Sequence, residues 1–195
     1  MTEAELRRRI ADPERRARLA PTGTDDAVDL MPERRIDAAV LVPIIFRAEP
    51  TILLTLRAST LSSHAGQVSF AGGRMEDGET PEQAALREAA EEVGLDPRLP
   101  ILLGVLPEHR TITGYHVTPV LALLTPPFSL TPDPAEVAEI FEYPLARLLQ
   151  PGGAELHRRE LRGRTREYWV WPHETHHIWG ATAAMLRNLA LLLAD

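Results

Sequence analysis

Residues 72–95 read GGRMEDGETPEQAALREAAEEVGL, and this stretch decides the fold. Thr80 is a good helix N-cap, Pro81 suits the first helical position, and Gln83 completes a capping box. Gly94 can close the helix in a left-handed conformation. A helix over Pro81–Val93 is therefore predicted from local chemistry alone. At about 100° per residue, Leu86, Ala90 and Val93 form the expected buried stripe, with Ala89 beside them. Glu88, Glu91 and Glu92 share the opposite side.

That grouping is costly. Like charges three or four residues apart lose a few tenths of a kcal/mol per pair. Glu91 and Glu92 also stand at the negative end of the helix dipole. A solvated acidic face is the ordinary alternative, but Arg87 is the one cation nearby to relieve the repulsion. The face also follows a Gly72-Gly73 pair, where backbone can approach a ligand closely. A hard divalent cation resolves the conflict, because Mg²⁺ takes oxygen ligands from carboxylates, water and substrate phosphates.

The whole chain sets bounds on this reading. Its 195 residues suit one domain with an extension: a helix and loop over 1–35, then a domain over 36–195. A hydrophobic fraction of 44% allows a sizeable core. A net charge of −7 argues against nucleic acid as a partner, but not against anionic small molecules where a bound cation reverses the local sign. There is no cysteine, which removes thiol catalysis, disulfides and Cys-type zinc sites. All 21 basic residues are arginine, so a cationic phosphate contact falls to Arg or to a charged His. The acidic N-terminal stretch lacks a signal-peptide core, and Ala38–Phe46 is far too short to span a membrane. No membrane partner and a cytoplasmic location are expected.

The element pattern predicts a mixed α/β (α+β) fold, with a sheet sandwiched between helices. One charged helix is expected over residues 3–20, and a loop over Pro21–Pro32. Strands are expected over Asp37–Phe46, Thr51–Arg57, Val68–Phe70, Ile101–Leu106, Val117–Leu124, Glu136–Tyr143 and Tyr168–Trp171. A short helix at Pro144–Leu149 and a C-terminal one at Ala181–Leu193 complete the pattern.

The opening stretch resembles the Nudix box, G-x5-E-x7-R-E-U-x-E-E-x-G-U with U apolar. Gly73, Glu79, Arg87-Glu88, Ala89, Glu91-Glu92, Gly94 and Leu95 fill its positions, Ala89 being the one small U. The resemblance implies an α/β/α sandwich with a mixed β-sheet. It implies hydrolysis of a nucleoside diphosphate linked to another moiety, with Mg²⁺ or Mn²⁺ bound by Glu88, Glu91 and Glu92. It also implies that Arg87 orients a catalytic glutamate. Glu88 and Glu92 are expected as principal ligands, with Glu91 a further ligand or the base, and Glu136 and Glu139 as alternative bases. Dimerisation is common among Nudix enzymes, so a homodimer stays open.

The preceding residues, LLTLRASTLSSHAGQVSFAGG (53–73), resemble the motif of the coenzyme A diphosphatase branch, L-L-T-x-R-(S/A)-x3-R-x3-G-x3-F-P-G-G. Ser62 stands where that motif has Arg, and Ala71 where it has Pro. The resemblance extends loosely through Thr113–Leu124, Glu136–Leu149 and Ile178–Leu186. It implies cleavage of coenzyme A to 3′,5′-ADP and 4′-phosphopantetheine, with another dinucleotide such as ADP-ribose or NADH as the alternative. The expected substrate contacts are Arg57, His64, Gly66, Gln67, Phe70, Gly72, Gly73, Arg74 and Tyr115. Phe70 also reads as core, and Arg57 as a surface cation.

Two rivals stand beside this reading. HETHH, His173–His177, matches the zinc-protease signature, which works only on a helix. Here Pro172 and a strand-like run precede it, so a polar turn is expected. Some Nudix domains act as ligand sensors, but those usually lose box glutamates, and this chain keeps them.

Overall fold

The computed structural model describes residues 1–23, 35–161 and 164–194, so the loop expected over Pro21–Pro32 lies outside them from Thr24 onward. The elements run α1 (Glu3–Ala11), α2 (Pro13–Ala17), β1 (Thr22–Gly23), β2 (Ile36–Ile45), β3 (Thr51–Arg57), β4 (Val68–Ser69) and β5 (Gly72–Arg74). They continue with α3 (Pro81–Val93), β6 (Ile101–Val105), β7 (His109–Arg110), β8 (Tyr115–Leu124), β9 (Val137–Pro144) and α4 (Leu145–Leu148). The chain closes with β10 (Glu155–Leu161), β11 (Arg164–Trp171), β12 (Ile178–Trp179) and α5 (Gly180–Leu193).

Among the described residues, nine strands form one mixed sheet in the order β1-β7-β8-β2-β3-β4, with β5 on β2, β6 on β8 and β9 on β3. β2 pairs with β8 in parallel and with β3 and β5 antiparallel. Its sequence, IDAAVLVPII, is apolar almost throughout because both faces are covered. One cluster joins Val42, Ile44 and Leu54 to α1 and α5 through Leu6, Ile10, Leu186 and Leu189. The other joins Ala39, Leu41 and Leu53 to α3 through Ala84, Ala85, Ala89 and Val93. The architecture is thus an α/β/α sandwich. A small sheet, β10-β11-β12, lies against α5, with Trp171 Nε1 donating to the Ala183 carbonyl at 3.0 Å.

The expected N-terminal helix is two helices. Asp12 is extended and caps the second through the Glu14 and Arg15 amides, and Pro13 starts it because it has no N–H to lose there. Leu6 and Ile10 are fully buried, each such side chain contributing about 1.5–3 kcal/mol. Arg9 and Arg15 donate to the carbonyls of Leu193 and Ala194 at the end of α5. Gly72-Gly73, expected as a turn, forms strand β5, because a chain without side chains can lie directly on β2.

Candidate active site

α3 begins and ends as its sequence dictates. Thr80 and Gln83 form the capping box, and Gly94 ends the helix at φ 65°. The buried side differs from the expected stripe: Ala84, Ala85, Ala89 and Val93 are buried, whereas Leu86 and Ala90 are only partly so. Three alanines let the helix axis come close to β2, and that rotates the glutamates toward β5.

The three glutamates consequently occupy three environments. The Glu92 side chain is 3% exposed, Glu88 16% and Glu91 61%. The Gly72 amide donates to Glu92 Oε2 at 3.2 Å, and Arg57 Nη1 stands 3.6 Å from Glu92 Oε1. Burial raises the Glu92 pKa to about 7 against the pull of Gly72 and Arg57, and Glu136 and Glu88 push it further. Glu88 is also raised by burial, with Arg87 opposing and Glu91 and Glu136 adding to the rise. Glu88 rests on Gly73, where an added Cβ would fall 2.5 Å from Oε1.

Arg87 organises the opposite flank. Its Nε and Nη2 donate to the two oxygens of Glu79 at 2.8 and 3.0 Å, a bidentate pair. Nη2 also reaches the Arg74 carbonyl, and Nη1 reaches Glu88 and Glu91 at 2.8 and 3.1 Å. The Arg87 bond and the Glu76 amide hold Glu79 at about 2. Glu79 fills a box position but was not among the expected site residues. Its role emerges only when Arg87 is seen to fold back eight residues.

The other expected residues are distributed around this cluster. Arg57, on β3, faces Glu92, and its buried Nε has no hydrogen-bond partner among the described residues. His64, Gly66 and Gln67 shape the loop after β3: the Arg57 amide donates to the Gln67 carbonyl, the Gly66 amide donates to the Arg57 carbonyl, and His64 Nδ1 lies 2.9 Å from Gln67 Oε1. Among the described residues, no hydrogen bond or ion pair joins these three to the glutamates. Phe70 is 2% exposed and packs in the α1–α5 core, so it is placed as core and not as a ligand contact. Arg74 leaves the cluster and lies over the Tyr115 ring, 5.7 Å from its centroid. Glu136 acts on both Glu88 and Glu92, whereas Glu139 is engaged 3.3 Å from His176 Nε2.

HETHH forms a turn and not a helix. His173 Nδ1 accepts the Thr175 and His176 amides, both at 3.2 Å, and the His176 ring stacks between Phe141 and His173. The zinc-protease geometry is therefore lost.

Among the described residues, no three His, Asp or Glu side chains stand close enough to share an ion, because Arg87 holds Glu88 and Glu91. The donor chemistry nonetheless fits a hard cation. Glu88 and Glu92 are desolvated carboxylates that repel each other and Glu136, and Gly73 leaves room at the Glu88 oxygens. Glu91 joins them only by turning away from Arg87.

The sequence profile of the NUDIX domain matches residues 35–176. An uncharacterized Nudix hydrolase of Cronobacter sakazakii, NudL, is 43% identical over 162 residues, covering 81% of this chain and 83% of that protein. NudL of Escherichia coli O7:K1 is 44% identical over 159 residues, covering 79% and 81%. Among solved structures, the Nudix hydrolase RenU of M. smegmatis has a TM-score of 0.49 and 28% identity, over 56% of this chain and 71% of that one.

Proposed function

Because this chain belongs to the Nudix hydrolase family, we propose that its glutamate cluster cleaves the diphosphate of coenzyme A, giving 3′,5′-ADP and 4′-phosphopantetheine. The observation that carries this choice is how the Leu53–Gly73 stretch meets the glutamates. Arg57 faces Glu92, Gly72 donates to it, and Gly73 makes room for Glu88. Three residues of the stretch that resembles the coenzyme A motif, Arg57, Gly72 and Gly73, thus border the glutamates.

Nudix enzymes generally use divalent metal ions, and in this reading Glu88 and Glu92 hold Mg²⁺ or Mn²⁺, with Glu91 as a third donor. A bound cation would lower the pKa of a water and neutralise charge on the leaving phosphate. Arg87 fixes the direction of the Glu88 carboxylate and releases Glu91 when Glu91 serves as donor. In this reading Glu91 or Glu136 takes the proton of the attacking water, because Glu139 lies 3.3 Å from His176 Nε2. Arg57, whose Nε has no partner among the described residues, supplies guanidinium charge to the diphosphate.

Hydrolysis of ADP-ribose or NADH is the second reading, favoured by Ser62, which replaces a motif arginine in the exposed loop after β3. Mass spectrometry of products separates the two. The protein is incubated with Mg²⁺ or Mn²⁺ and coenzyme A, ADP-ribose, NADH or nucleoside triphosphates. Selective release of 4′-phosphopantetheine supports the first reading, and preferred cleavage of another dinucleotide overturns it.

A further inference from the structure

Beside the glutamates lies an open cavity of about 530 Å³, walled by Arg35, Asp37, Arg74, Glu76, Asp77 and Glu79 with neighbouring backbone. The Arg87–Glu79 pair divides it from the cluster. Two wall residues touch both spaces: Glu79 holds Arg87, and the Arg74 carbonyl accepts from Arg87 Nη2. The hydrolysis described above leaves this cavity without a role.

The charges in its wall restrict what it can hold. Two guanidiniums face four carboxylates. Asp37 is paired with Arg35 at 2.6 Å, and Glu79 with Arg87. Glu76 and Asp77 remain exposed, with no ion pair among the described residues. A phosphate entering here would meet a net negative wall. A neutral ring with N–H donors on its edge would meet acceptors.

Arg74 supplies a surface for such a ring. Among the described residues no carboxylate pairs with it, although Glu76 and Asp77 follow closely in the chain. Its guanidinium instead lies over Tyr115. The strand register favours this contact, because Arg74 pairs with Ala38 on β2, and Tyr115 pairs with Ile36 two residues away on the same face. An exposed guanidinium held over a tyrosine is a flat cationic plate, and purine bases stack on such plates.

We infer that this cavity is the purine subsite of the enzyme, with the base on the outer face of Arg74, Tyr115 behind it, and the exocyclic amine donating to the Glu76 and Asp77 carboxylates. The inference rests on the reading of the neighbouring cluster as a nucleoside-diphosphate hydrolase. It also orients the substrate: the nucleoside half lies beside β5, and the other half runs toward Arg57 and the loop after β3.

Isothermal titration calorimetry with AMP and with ribose 5-phosphate, in Mg²⁺, tests it. Wild type is expected to bind AMP roughly tenfold or more tighter than ribose 5-phosphate, the scale of one base stacking on an aromatic or cationic face. Arg74→Ala abolishes that preference, and Arg74→Lys fails to restore it, because an ammonium offers no plate. Circular dichroism melts check that both variants fold. Equal binding of the two ligands by wild type overturns the inference, as does absent AMP binding or an intact preference in Arg74→Ala. Equal losses for both ligands in Arg74→Ala make the residue an anion contact and also overturn it. Adenine is common to coenzyme A, ADP-ribose and NADH, so failure of the coenzyme A reading in product analysis leaves this test standing.

Discussion

Two glutamates on opposite flanks of one site meet their arginines in different ways. Glu79 receives a bidentate fork from Arg87 in a part-buried position, and its carboxyl is held at about 2. Glu92 is buried, its arginine stands 3.6 Å away, and its carboxyl is pushed up to about 7. Well-aligned charge-assisted hydrogen bonds settle the first charge permanently. Desolvation without matching geometry leaves the second short of counter-charge. The contrast separates a carboxylate that holds the scaffold from one that calls for a cation.

The sharpest test of that contrast is Glu92→Gln. Metal-dependent turnover is expected to fall about 1,000-fold or more, while at pH 5, where the buried acid is protonated, the metal-free protein keeps its melting temperature, since an amide of the same shape replaces a neutral acid. Parallel loss of activity and stability in calorimetry would break the comparison. Arg87→Ala should lower kcat by about 100-fold, because Glu79, Glu88 and Glu91 all lose one partner, and Glu79→Gln by about 10-fold. If Glu79→Gln were as damaging as Glu92→Gln in steady-state assays, Glu79 would belong to the chemistry itself. Gly73→Ala places a methyl against the Glu88 carboxylate. Mg²⁺ affinity, read from the metal dependence of the melting temperature, should weaken about 10-fold.

The smallest effect is in the pH profile, where the two glutamates have opposite signs. Glu92 is raised from 4.5 to about 7 in the fold, so its contribution is full below 4.5 and lost as pH rises through 7. Glu79 is depressed, so its contribution is present above 4.5 and lost as pH falls toward 2. His109, lowered by burial from 6.5 to about 4, costs stability as pH drops from 6.5 to 4. The melting-temperature difference between metal-free wild type and Glu92→Gln therefore isolates Glu92. Wild type should lose several degrees relative to the variant between pH 5 and pH 8. A constant difference would remove the special status of Glu92.

Local chemistry made much of the fold legible. The limits of α3 coincide with the expectation because Thr80, Pro81, Gln83 and Gly94 act within a few residues of one another. β3 likewise coincides, being a compact apolar run. β10 was not legible, since ELHRREL has neither alternation nor strand-forming composition and is held by its ladder to β11. The glutamates shared a face in the sequence, but their unequal burial depends on β5 and Arg57 closing from outside the helix. No spacing rule within one helix can show what another strand brings to it.

The end of α5 carries no basic residue of its own, and its last carbonyls take Arg9 and Arg15 from the other end of the chain. α1 and α2 leave the ribosome before any of the surface that receives them exists. They are orphans during synthesis, with Leu6 and Ile10 unsheltered until the sheet and α5 have been made. α5 is translated after every element it joins, and it brings α1 and α2 into place, so the earliest helices are among the last to be seated.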